Sequence, residues 1–173
     1  MRWLPFQLNP DLPEGGIPRE EYVARKFGAR GKGVNERVTV AGRQVGIPFA
    51  YEKMTVQPNT LNAHRLMLYA ERSGKQDELA EALFRAHFTE GANLTDRETL
   101  AGIAARAGLD RKAALDYLAG DTDRDQIARA EVEARSAGIG GVPFFIINRK
   151  VGISGAQDPE TLLDAMEQAL SEG

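Results

Sequence analysis

The chain of 173 residues has no cysteine, which excludes disulfides, thiolate metal sites, iron–sulfur clusters and any thiol nucleophile of its own. Histidine is nearly as scarce. His64 and His87 are the only two, and no acidic x-x-His pattern surrounds either, so no metal site is expected. Basic residues number 22 against 25 acidic ones, a net charge of −3 that gives no cationic footprint for nucleic acid. No apolar run approaches the roughly 18 to 20 residues of a membrane span, and no basic-then-apolar leader opens the chain. A soluble, cytoplasmic protein is therefore expected. Phosphate loops are missing too: Gly28-Ala29-Arg30-Gly31-Lys32-Gly33 lacks the required spacing, and no Gly-x-Ser-x-Gly elbow occurs.

What remains is ordinary globular material, 42% apolar and about one domain long, enough to bury a core without disulfide or metal. Trp3 to Leu8 reads as a short strand, with Pro5 demanding an edge or a bulge. Pro18 suits the first turn of a helix that places Glu20 and Glu21 near its positive end and stops at Gly28. A second, weakly periodic helix is read from Ala29 to Gln44. From Gln57 to Ala137 the pattern is helix after helix. Asn59 is placed as an N-cap of a helix ending near Gly74, and Leu79, Ala82, Leu83, Ala86 and His87 share one helix face. Thr95-Asp96-Arg97-Glu98 matches a capping box, and further helices span Arg111 to Ala119 and Arg124 to Ala137. The end is β again: Val142 to Ile147 is an unbroken apolar run suited to a strand covered on both faces. Val151 to Ser154 returns as its hairpin partner, and a helix opened by Asp158-Pro159 closes the chain with Leu162, Leu163, Met166, Ala169 and Leu170 on one side.

Several of these segments together carry a resemblance. Gly141-Val142-Pro143-Phe144-Phe145 before a hairpin, then Ile153-Ser154-Gly155-Ala156-Gln157 and a terminal helix, is similar to the C-terminal half of a thioredoxin fold. Pro58-Asn59-Thr60, Ala63-His64-Arg65-Leu66, Leu83-Phe84 with Phe88, and Glu90-Gly91 resemble the DsbA family, especially its FrnE-like branch. The resemblance implies an α/β, thioredoxin-like fold with an inserted all-helical subdomain. It divides the chain into a partial thioredoxin-like part over 1–56, the helical insertion over 57–137 and a ββα part over 138–173. The family activity is thiol–disulfide exchange. Its members open with a strand and a helix carrying Cys-x-x-Cys, which have no counterpart here, so the chain reads as N-terminally truncated and without catalytic residues. The missing strand would lie between the strands matched by Trp3–Leu8 and Phe144–Ile147. A homodimer or another strand donor is then expected to fill the vacant lane.

The resemblance also nominates a binding site. The proline matching Pro143 is cis in thioredoxin-like folds, and the residue matching Val142 offers its backbone to an extended peptide or a small thiol. Asn59 and His64 lie where helix starts face the dithiol cleft. The residues themselves allow plainer roles: a helix cap for Asn59, and hydrogen-bonded structural histidines for His64 and His87. Ser154 and Gln157 occupy a loop that holds glutathione in some relatives, but Gly155-Ala156-Gln157 replaces the acidic residue. Glutathione therefore stands as an alternative ligand, with a 2-hydroxychromene-2-carboxylate type isomerase or a non-catalytic peptide-binding module as alternative functions. Phe84, Phe88 and Trp3 are read as core, and Glu20-Glu21, Asp123-Arg124-Asp125 and Glu131-Val132-Glu133 as solvated helix surface.

Overall fold

The computed structural model describes residues 1–28, 33 and 35–171. Strand β1 is only Ile17–Pro18, paired antiparallel with β2, Val56–Gln57. Gly16 makes that pairing possible: its φ is +72°, and a Cβ there would lie 2.5 Å from the Gln57 carbonyl oxygen. Pro18 also precedes helix α1, Arg19–Phe27, whose first turn carries Glu20 and Glu21 and whose last carries Arg25 and Lys26. These charges complement the helix dipole, and Gly28, at φ +53°, ends the helix. Helix α2 runs from Glu36 to Gln44; the earlier part of the helix expected from Ala29, residues 29–32 and 34, lies outside the described residues.

After a 3₁₀ turn at Tyr51–Lys53 come five helices: α3 (Leu61–Glu71), α4 (Gln76–Phe88), α5 (Arg97–Arg106), α6 (Arg111–Ala119) and α7 (Arg124–Ser136). Their apolar faces converge on one core that includes Leu66, Leu79, Leu83, Leu100, Ile103 and Leu118. Aspartates start two of them. Asp96 accepts from the Thr99 amide and Asp110 from the Ala113 amide, supplying acceptors that a helix N-terminus otherwise lacks. The cap of α5 is therefore Asp96, one residue beyond the Thr95 of the expected capping box.

Arg65 is fully buried within this bundle, and among the described residues no carboxylate forms an ion pair with it. Its guanidinium donates to the carbonyls of Thr122 (2.8 Å), Tyr117 (3.0 Å) and Gly120 (2.6 Å) and to Asn62 Oδ1 (2.8 Å). One side chain thus ties α3 to the carbonyls that the C-terminus of α6 leaves unpaired. The Tyr117 hydroxyl returns the tie, donating to the Arg65 carbonyl and to Asp123 Oδ2. Asp123 also pairs with Arg72, so it is not the solvated surface residue expected.

The chain ends with β3 (Phe144–Ile147), β4 (Val151–Ser154) and α8 (Pro159–Ser171). The hairpin runs from Phe144 opposite Ser154 to Ile147 opposite Val151, and α8 packs on both strands. Asn148 in the turn donates to the Ala169 carbonyl at 3.2 Å, pinning the hairpin to the end of α8.

Three expectations fail here. Trp3–Leu8 is not a strand, because among the described residues no strand lies beside it and Pro5 has no N–H to give. Side chains hold it instead: Trp3 bonds through its backbone to Gln76 and through Nε1 to Asp77, and Arg2 pairs with Glu71. Second, β3 is not covered on both faces, since Ile146 is 51% exposed and among the described residues the sheet has two strands. Third, Phe84 is 51% exposed, so its spacing with Phe88 places it on an outer row with Trp3 rather than in the core.

Candidate functional site

The Val142–Pro143 peptide bond is cis, and it heads the apolar strand β3. Pro143 cannot donate, but its carbonyl accepts from the Gly155 amide at 2.8 Å, which closes the mouth of the hairpin. Val142 and Pro143 both stand exposed. Among the described residues β3 has one ladder neighbour, β4, so its other edge presents a row of backbone N–H and C=O groups without a strand beside it. An edge of that kind hydrogen-bonds extended chain and little else. Ser154 and Gln157, at the end of β4, are tied to each other: Gln157 Nε2 donates to the Ser154 carbonyl at 2.9 Å.

Asn59 and His64 sit elsewhere, at the start of α3. Thr60 is the residue before that helix, yet Asn59 Oδ1 takes the Leu61 amide at 2.9 Å and its Nδ2 donates to the Leu12 carbonyl at 2.7 Å. Both ends of the amide are thus committed to fastening the N-terminal segment. His64 faces the same segment, bonding to the Phe6 backbone, with Glu131 of α7 beside it. Burial pushes its ring down to about 4, against smaller upward pulls from Glu131 and the Phe6 bond. At neutral pH the ring is uncharged. No hydrogen bond among the described residues joins Asn59 or His64 to Val142 and Pro143. His87 is buried against Phe88 with Nδ1 3.4 Å from the Ala92 carbonyl, and burial lowers its pKa as well.

The residues that complete the His64 environment were not anticipated. Glu131, expected on a solvated face, is buried; Gln7 Nε2 donates to its Oε2 and Arg135 to its Oε1, each at 3.1 Å. Arg135 also donates to the Gln7 carbonyl at 2.9 Å and lies over the Phe6 ring at 4.7 Å. The signal was present in the spacing, because Glu131 falls four residues after Ile127, on the inward face of α7. This cluster binds backbone and amide groups. Neither it nor the proline loop contains a thiol.

Comparison with known proteins places the architecture. A solved structure of a probable DsbA oxidoreductase from Streptomyces coelicolor superposes with a TM-score of 0.88 at 28% identity, over 97% of this chain and 74% of that one. No curated protein matches. The family model of the DSBA-like thioredoxin domain matches residues 1–167, and the chain belongs to that family, its thioredoxin-like fold carrying the helical insertion while its own sequence carries no cysteine.

Proposed function

We propose that this chain serves as the substrate-docking part of a FrnE-branch thiol–disulfide oxidoreductase, with the reacting sulfur supplied from outside these 173 residues. The observation that carries the reading is the exposed Val142–Pro143 segment at the head of a strand whose second edge is open among the described residues. An extended segment of a substrate protein lies along β3, its main chain bonded to the edge and its reactive sulfur held beside Pro143. Family thiolates attack a disulfide in line, so holding the partner chain straight supplies the orientation that the exchange needs. The three segments divide the work: 138–173 docks, 57–137 covers, and 1–56 joins them. Glutathione fits less well, since Gln157 is tied to the Ser154 carbonyl and no acidic side chain stands in its place.

The test is a titration of the chain with an unstructured, cysteine-free peptide, followed by backbone NMR. Shifts concentrated on Val142 to Ile147, and affinity falling about fivefold or more in Val142→Pro, where one backbone donor is lost, support the reading. Shifts confined to α3–α7 refute it. Insulin reduction by the chain alone should be blank, because no thiolate is present. The open edge equally suits a second copy as strand donor, and light scattering separates the two: a monomer that binds peptide favours docking, a dimer that excludes it favours self-pairing.

A further inference from the structure

Residues 1–8 form a strap fastened by side chains rather than by a ladder, and its inner end depends on a single buried cluster. His64, Glu131 and Arg135 together hold the Phe6 backbone, the Gln7 backbone, the Gln7 amide and the Phe6 ring. Gln7 is itself buried, with its Oε1 left without a partner, so the amide is held by its nitrogen alone. The outer end rests on two bonds between the Trp3 backbone and the buried Gln76 of α4, and on the exposed Arg2–Glu71 and Trp3–Asp77 contacts, which add little strength. We propose that the strap is an acid-released element: protonation of His64 detaches residues 1–8 from α3 and α7 while the helical bundle stays folded. The proposal is independent of the oxidoreductase reading.

The charge arithmetic around the ring gives the direction. Glu131 is the one carboxylate acting on His64, and it is already shared by Arg135 and Gln7. Of the other charged groups on elements packed against α3, Asp123 pairs with Arg72, Arg97 and Arg124 with Glu14, Arg106 with Glu90 and Asp77 with Trp3, while Asp125, Arg129 and Glu133 of α7 stand exposed. A second cation beside Arg135 therefore finds in the buried cluster only a carboxylate that is already shared. With the strap in place the ring titrates at about 4, against an ordinary 6.5 once released. The group's pKa is depressed in the fastened state, so fastening is complete above pH 6.5 and weakens as pH falls toward 4. Protonation can shift the fastened-to-released ratio by about 160-fold by pH 4 relative to the uncharged ring. The bundle's apolar core and the Arg65 guanidinium contain no group that titrates there, but His87 of α4 is buried with its pKa lowered as well, so constant helicity is what separates strap release from a response of the bundle itself.

Trp3 is the only tryptophan and lies at the outer end of the strap against α4, 6.1 Å from the Phe84 ring, so its emission reports release that has spread from the His64 cluster to that end. Emission is followed from pH 7.5 to 4 alongside far-UV circular dichroism, with Asp77→Asn as background to remove the titration nearest the indole. The expected result is a change in Trp3 emission between pH 6.5 and 4 at constant helicity, absent in His64→Gln. A response unchanged in His64→Gln, or loss of helicity in step with the emission, overturns the proposal. If that variant does not fold, histidine NMR on the unmodified chain decides. Two ring signals are available, and a His64 signal titrating at 6.5 while Trp3 emission stays constant is incompatible with a released strap.

Discussion

The helical bundle and the C-terminal ββα unit treat apolar side chains in opposite ways. Between Ala50 and Ile127 the chain buries Leu66, Leu79, Leu100 and Leu118 completely, whereas among the described residues beyond Ile127 the one buried apolar residue is Ala169. The exposed large apolar residues distribute in reverse. Val142, Ile146, Leu163, Met166 and Leu170 lie in the hairpin and α8, and only Phe84 and Val132 lie in α3–α7. Helix α8 explains the contrast locally. Leu162, Ala165 and Ala169 turn toward the hairpin, and the apolar arc continues round to Leu163, Met166 and Leu170, wider than two strands about 10 Å across can cover. The bundle is a finished core, and the ββα unit has the side chains of a larger one.

The sharpest way to break that comparison is to attack the bundle where it is polar. Arg65→Met should destabilise the chain by about 3 to 5 kcal/mol in urea unfolding. The carbonyls of Tyr117, Gly120 and Thr122 lose a charged donor that is itself fully buried, and methionine offers nothing in its place. A cost below about 1 kcal/mol would mean that the α6 carbonyls reach solvent and that the bundle is not closed. Leu100→Ala comes next. Its site is inaccessible and walled by neighbouring helices, so the lost transfer energy and the cavity together should cost about 2 to 5 kcal/mol.

How far the sequence reveals this architecture follows from the same contrast. Helices α3–α7 were readable because each buries its own stripe, so 3.6-residue periodicity reports a local fact. Strand identity was not readable for Trp3–Leu8, since a strand exists only with a partner and none of the described residues supplies one. Apolar runs such as Val142–Ile147 announce a covered strand, while the observed hairpin leaves Ile146 half exposed. The proline loop could be picked out by its position before an apolar strand. The fastening of His64 by Glu131, Arg135 and Gln7 could not, because it joins residues from opposite ends of the chain through side-chain geometry that no local pattern encodes.

A gentler perturbation sharpens the contrast at helix ends. Asp96→Ala removes the acceptor of the Thr99 amide and hydroxyl and should cost about 1 kcal/mol, with Asp96→Asn recovering most of it. The bonds from Thr99 hold the Asp96 carboxyl below the usual range. That depression makes the contribution complete above the ordinary carboxylate pKa and lost as pH falls through the lowered one. The difference between Asp96→Ala and the unmodified chain should therefore shrink below about pH 4, read as converging urea midpoints. A constant difference down to pH 2 would assign the effect to helix propensity instead.

The smallest effect is expected on α8, and its smallness is informative. Leu163 and Leu170 are 57% and 72% exposed, so replacing both with serine removes little buried area and creates no cavity. Stability should stay within about 0.5 kcal/mol of the unmodified chain at low micromolar concentration. That outcome would separate α8 from Leu100 in the bundle by several-fold in energy for the same residue type. A loss above about 2 kcal/mol would require those leucines to be covered in solution, and a dependence of that loss on protein concentration would identify the cover as another copy. If the loss instead stayed constant on dilution, the cover would belong to this chain, and the description of α8 as a helix wider than its sheet would have to be given up.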